Sequence, residues 1–175
     1  LKLNPSTGAQ VSSIALSSGN IGDIASCATP STITLVKDLP SGRAASTDQF
    51  GLSITGGGLS VGNTGVTTGA ESGIQDQNPA IEVAGPIVAL PGETYTITET
   101  AAGTPAANLP GYLTTWRCVD QSSGAVIAEW QTGPRATGQF AMPGGGGVGT
   151  NVLCTFTNTA TTLTLVKAVS FGTAS

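Results

Sequence analysis

The sequence predicts an all-β sandwich, and three observations carry that expectation. Threonine and glycine are abundant, only 9% of the residues are charged, and no long stretch rich in Ala, Leu, Glu and Lys offers a helix. Several short runs alternate apolar and polar residues with the period of two that a half-buried strand requires. Turn-forming residues separate those runs, as at Pro40-Ser41-Gly42 and Pro91-Gly92. The 175 residues suffice for one ordinary domain with extra strands or for two small ones.

Residues 1–31 are polar and rich in small side chains, with short strands expected at 10–16 and 21–25 but no core of their own. They read as an N-terminal arm or the tail of a preceding module. The run 32–39 is the first clear strand, and 49–55 the second. The Gly- and Thr-rich region up to Gly73 reads as a loop or irregular hairpin. Short strands are expected at 80–84 and 87–90, broken at Gly85-Pro86, and a longer one starts at Tyr95. Strands 113–120 and 125–131 flank a turn at 121–124 and read as a hairpin. A strand at 138–142, a flexible glycine run at 144–147 and a strand at 151–159 follow. The glycine run lacks the strand-loop-helix context and the following lysine of a phosphate-binding loop. Directly afterwards 162–169 repeats the first strand: TITLVK at 32–37 returns as TLTLVK at 162–167. Such a repeat marks a modular array. The chain thus divides into the arm 1–31, one complete unit at 32–160, and an extra C-terminal strand in 161–175.

Three strands of that unit place a polar side chain where the alternation calls for core. Lys37 shares a face with Ile33 and Leu35, Glu99 with Tyr95 and Ile97, and Asn158 with Val152, Cys154 and Phe156. Burial lowers the pKa of a lysine and raises that of a carboxylic acid. A neutral Lys37 amine beside a protonated Glu99 and the Asn158 carboxamide has a reaction open to it. The amine attacks the carboxamide carbon, Glu99 polarises the carbonyl and relays the proton, ammonia leaves, and an amide joins the first strand to the last. The event happens once per molecule, so it is not turnover. The same pattern also fits an unreacted, hydrogen-bonded triad, or three polar residues at strand ends that meet solvent.

The three cysteines allow three single pairings. Cys118 in TTWRCVD and Cys154 in VLCTFTN fall in strands of one unit, and a disulfide between them is the preferred reading in an oxidising compartment. Two buried thiols acting as small hydrophobes are the alternative. Cys27 is then free, or pairs with another chain or with a part of the protein beyond this sequence.

The stretch Tyr95-Thr96-Ile97-Thr98-Glu99-Thr100-Ala101-Ala102, closing at Gly111-Tyr112, resembles a motif of the B-type repeat of collagen adhesins and of related SpaA-like pilin domains. The resemblance covers roughly residues 32–160 and implies an Ig-like, prealbumin-like β-sandwich. It implies that Lys37 is the lysine of an isopeptide bond, Asn158 its amide partner, and Glu99 the helper, catalytic only in that self-reaction. The spacer from Ala102 to Gly111 is longer than the family's compact form. The two strand cysteines are additions, similar to a subset of such domains in long bacterial surface proteins.

Other function classes find little support. The chain has no histidine, no cluster with metal-ligand spacing and no serine-base arrangement, so no enzyme, cofactor or metal site is expected. Net charge is −4 and the six basic residues are scattered, which speaks against nucleic acid. No apolar run approaches the ~20 residues of a membrane span. Low charge with many Thr, Ser and Gly suits an extracellular location on a bacterial surface. A start at Leu1 without a signal-peptide pattern is expected of a mature product or an excised piece.

The expected function is therefore structural: a subunit or repeat module of a filament, pilus or adhesin stalk. Its partners would be copies of itself or neighbouring modules of the same chain, with a host or matrix ligand as a further candidate. The strand 162–169 would then be a donor strand for the next subunit, or simply begin the next module. Lys167 and Cys27 are the candidates for intermolecular contacts. The alternative is an adhesin or carbohydrate-binding sandwich using Trp116, Trp130, Tyr112 and the Gly-rich loops.

Overall fold

The structure, a computed structural model, describes residues 29–60, 62–132, 135–144 and 149–161, together with two short paired strands, β1 (Lys2–Leu3) and β2 (Gln10–Ser12). The remainder of the expected strand 10–16, the strands expected at 21–25 and 162–169, and the residues Cys27 and Lys167 lie outside the described residues.

Two sheets face each other. The first is built around β3 (Ser31–Leu39) and β12 (Asn151–Ala160), with β9 (Tyr112–Asp120) and β10 (Val126–Trp130) completing one side in the order β10-β9-β12-β3. The free side of β3 is shared: β7 (Ala84–Ala89) pairs with its first half and β6 (Gly73–Gln75) with its end. The second sheet runs β11 (Thr137–Ala141), β8 (Thr94–Ala102), β4 (Gln49–Gly56), β5 (Asn63–Val66).

The alternation read from the sequence sets which side chains meet between the sheets. Ile33 and Leu35 on β3, Leu52 and Ile54 on β4, Tyr95 and Ile97 on β8, Trp116 on β9 and Val152 and Phe156 on β12 are buried together. The chain is an all-β, prealbumin-like sandwich, as the period-two runs predict. The pairing that matters most for the site is β12 with β3. These strands open and close the unit, yet they lie side by side and parallel, with Phe156 opposite Lys37.

Several expectations are corrected. Residues expected as a strand at 80–84 form instead a one-turn helix, α1 (Pro79–Glu82), because Asn78-Pro79 starts a helix well and Pro at the first helical position loses no bond. The strand expected to break at Gly85-Pro86 runs through it as β7, and a shift in register against β3 absorbs the proline. Gly85 is required there: at φ +103, a Cβ would lie 2.5 Å from the Ile33 carbonyl oxygen. Of the two readings of the Gly- and Thr-rich region up to Gly73, the structure shows the hairpin, with β5 returning antiparallel along β4. β6 starts at the end of that region. A short 3₁₀ turn at Leu109–Gly111 ends the long spacer after β8.

Candidate functional site

Lys37, Glu99 and Asn158 converge from three strands and two sheets. Lys37 and Asn158 are 0% exposed and Glu99 is 2% exposed. Because Lys37 faces Phe156 across the parallel pair, Asn158 lies two residues further along on the same inward face. Glu99 reaches them from the opposite sheet. Its Oε1 accepts from Lys37 Nζ at 2.7 Å and from Asn158 Nδ2 at 3.0 Å. Both nitrogens therefore sit on one carboxylate oxygen. Lys37 Nζ also donates to the Phe156 carbonyl at 3.3 Å.

The electrostatics are tense. Burial pushes the Lys37 ammonium down to about 8, against the opposing pull of the Glu99 carboxylate. Two atoms of the group, Glu99 Oε2 and Asn158 Oδ1, are buried without a protein partner, an uncommon condition for polar groups in a folded chain. A half-turn of the Asn158 carboxamide exchanges Nδ2 for Oδ1 at Glu99, an orientation that hydrogen bonding rather than shape decides.

A second buried polar cluster lies away from the triad and was not legible in the sequence. Glu82, at the end of α1, is 1% exposed. It accepts from the Thr68 N–H at 2.9 Å, the Thr68 hydroxyl at 2.6 Å and the Asn78 N–H at 2.7 Å. Burial pulls its carboxyl upward, but these hydrogen bonds outweigh that and hold it below the ordinary glutamate range. Arg43 ties the neighbouring loops, donating to the carbonyls of Asp48, Glu71 and Thr68 and to Gln75 Oε1 at 2.8 Å. The one sequence signal for this cluster was Asn78-Pro79 announcing a helix that ends on Glu82.

Cys118 and Cys154 form a disulfide between directly paired positions of β9 and β12, with Cα atoms 4.0 Å apart. The aromatic residues proposed for ligand binding are mostly inside. Tyr112 is 2% exposed, and Trp116 is 5% exposed and packed so closely on Gly138 that a Cβ there would lie 2.5 Å from its ring. Trp130 is half-buried under Arg135, whose guanidinium carbon lies 4.5 Å from the ring centroid. Among the described residues, no group of three or more His, Cys, Asp or Glu is arranged to hold a metal ion, and no helix is long and apolar enough to cross a membrane.

A family model, the SpaA prealbumin-like fold domain, matches residues 32–160. The chain belongs to that family, whose domains are structural modules of bacterial surface proteins of the pilin or adhesin type. No curated protein matches the chain.

Proposed function

We propose that this chain is a load-bearing module of an extracellular bacterial filament or adhesin stalk, closed by an amide between Lys37 and Asn158 that Glu99 promotes. The observation that carries the reading is the single Glu99 oxygen holding both nitrogens, buried between the first and last strands of the unit. In the reaction the Nζ–Cγ bond forms and the Cγ–Nδ2 bond breaks. One Nζ proton passes through Glu99 to the leaving nitrogen, which departs as ammonia. Burial supplies the driving conditions, since a dry site favours the neutral amine and neutral acid over the ion pair. A cross-link closing a loop on the order of 100 residues stabilises by about 4–5 kcal/mol in the chain-entropy account.

Sequence composition favours a module within a longer chain over a subunit joined to others through lysines of the unit. Lys37 is the only lysine between Lys2 and Lys167, and it is fully buried. The repeat of the first strand at 162–167 then begins a following module; donor-strand exchange between separate chains is the competing role for that segment. Intact-mass spectrometry tests the core of the reading. The protein is expected to weigh one ammonia less than its reduced sequence requires, beyond the two hydrogens of the disulfide. Lys37→Ala is expected to restore the ammonia. A wild-type mass lacking this deficit overturns the amide.

A further inference from the structure

On β3 the lysine separates Leu35 of the main core from Leu39, and on β12 Asn158 separates Phe156 from Ala160. Beyond the triad, Leu39, Phe50, Ala107 and Tyr112 form a second small apolar cluster. The long spacer after β8 supplies Ala107 to it, with Leu109 packed alongside. This cluster closes the end of the sandwich over the triad. Phe50 is the member that meets the lysine: it is 0% exposed, and Lys37 Nζ lies 4.9 Å from its ring centroid. Tyr112 meets Phe50 edge-on, with centroids 5.2 Å apart and planes at 85°.

Tyr112 is itself held at its far end. Its hydroxyl donates to Asp48 Oδ2 at 2.5 Å and accepts from the Ala44 N–H at 2.7 Å. Asp48 is 6% exposed, and the same Oδ2 accepts from the Ala45 N–H at 3.1 Å. The amide chemistry itself has no use for this carboxylate. Burying it is unfavourable unless it is well bonded, and what it bonds is the one polar atom of the ring that abuts Phe50.

We propose that Asp48 is a positioning residue for the Lys37–Asn158 amide: by fixing the Tyr112 hydroxyl it braces Phe50 as the wall that keeps water from Lys37 Nζ. The inference rests on the amide reading above. The reactive form holds one proton shared by Lys37 and Glu99, as neutral amine and neutral acid. Water entering past a loosened Phe50 solvates the charges and returns the pair to ammonium and carboxylate. Burial is the largest influence lowering the lysine, so wetting raises it. The groups around Lys37 are Glu99 from β8, Asp38 on its own strand, the uncharged Gln75 of β6, and Asn158 with the Phe156 carbonyl from β12. Only Glu99 and Asp38 carry charge among these, and both favour the ammonium once water relieves its burial.

The consequence is a particular pH signature. The reactive form loses its proton as pH rises through the Lys37 value of about 8. Loosening the wall should lower the plateau rate while moving this alkaline limb to higher pH. A plain loss of fold stability lowers the rate without moving the limb.

The experiment uses the full chain produced as insoluble material that has never folded, dissolved in denaturant, diluted into refolding buffers from about pH 5 to about pH 10, and sampled by intact mass for loss of ammonia. Asp48→Ala and Tyr112→Phe should each slow the reaction by about tenfold or more and shift the alkaline limb upward by roughly one pH unit. The double variant should be no slower than either alone, since both act through one contact. Asp48→Asn, whose Oδ1 can take the place of Oδ2 toward Tyr112 and Ala45, should restore a rate near wild type. Wild-type rates and an unmoved limb in folded Asp48→Ala or Tyr112→Phe overturn the proposal, as does failure of Asp48→Asn to rescue. If Asp48→Ala does not fold, Tyr112→Phe and Asp48→Asn decide. A wild-type chain that never loses ammonia overturns the amide reading instead.

Discussion

Two buried polar clusters sit in one sandwich and differ in how well they are satisfied. Around Glu82, both carboxylate oxygens are bonded, and the neighbouring arginine and glutamine donors end on carbonyls or side-chain oxygens. Around Glu99, two nitrogens crowd one oxygen while Glu99 Oε2 and Asn158 Oδ1 have no protein partner. The first arrangement is what a fold does with a polar group it must bury to hold loops together. The second leaves groups short of hydrogen bonds in a dry place, the condition under which the proposed reaction would relieve two buried charges. Burial is common to both clusters; what distinguishes the Lys37–Glu99–Asn158 group on the proposed reading is its incomplete hydrogen bonding around a lysine and a carboxamide.

Substitutions can break this comparison. Asn158→Ala should have the largest effect, because it removes the cross-link: about 4–5 kcal/mol of stability lost in chemical denaturation, with the ammonia loss abolished. Next, Glu82→Ala should cost about 2–4 kcal/mol by stranding the Thr68 and Asn78 donors, yet leave the ammonia loss complete. A Glu82→Ala protein that folds but stays unreacted would show that the two clusters are not separate. Removing the disulfide with Cys118→Ala and Cys154→Ala should cost about 1–2 kcal/mol in the cross-linked protein and more in the Asn158→Ala background. The reason is that the 118–154 loop falls inside the 37–158 loop that the proposed amide would close. Equal costs in the two backgrounds would contradict closure by the amide.

The smallest effect is on acid stability. The Glu82 carboxyl is held below the ordinary glutamate range in the folded protein, so its contribution is present above that range and is lost as pH falls through its folded value. Thermal unfolding of wild type should therefore weaken more steeply in acid than that of Glu82→Gln. Parallel curves would mean that Glu82 is not held as described.

The Lys37–Glu99–Asn158 triad was legible in the sequence and the Glu82 cluster was not. Lys37, Glu99 and Asn158 each interrupt a strict period of two, and a charge in apolar phase is visible without coordinates. The strand pairing that brings them together rested on the resemblance. Cys118 and Cys154 were legible for the same reason, since both fall in strong strands. Arg43, Asp48 and Glu82 sit in turns, a loop and a one-turn helix, where no periodicity marks an inward residue. Their burial follows from how loops 40–48 and 67–83 pack, which is tertiary information. The path of β7 through Gly85-Pro86 was hidden likewise, because a register shift opposite the proline lets pairing continue.

The central claim is the covalent bond at Lys37, and one measurement reaches it directly. The protein is reduced, fully denatured, treated with an amine-acylating reagent and mapped by peptide mass spectrometry. Lys2 and Lys167 report complete labelling, and no other lysine lies between them except Lys37. The account predicts that Lys37 stays unlabelled in the unfolded chain and is recovered in a branched peptide that also contains Asn158, short of one ammonia. Quantitative acylation of Lys37, with Asn158 recovered as an intact carboxamide, would contradict it.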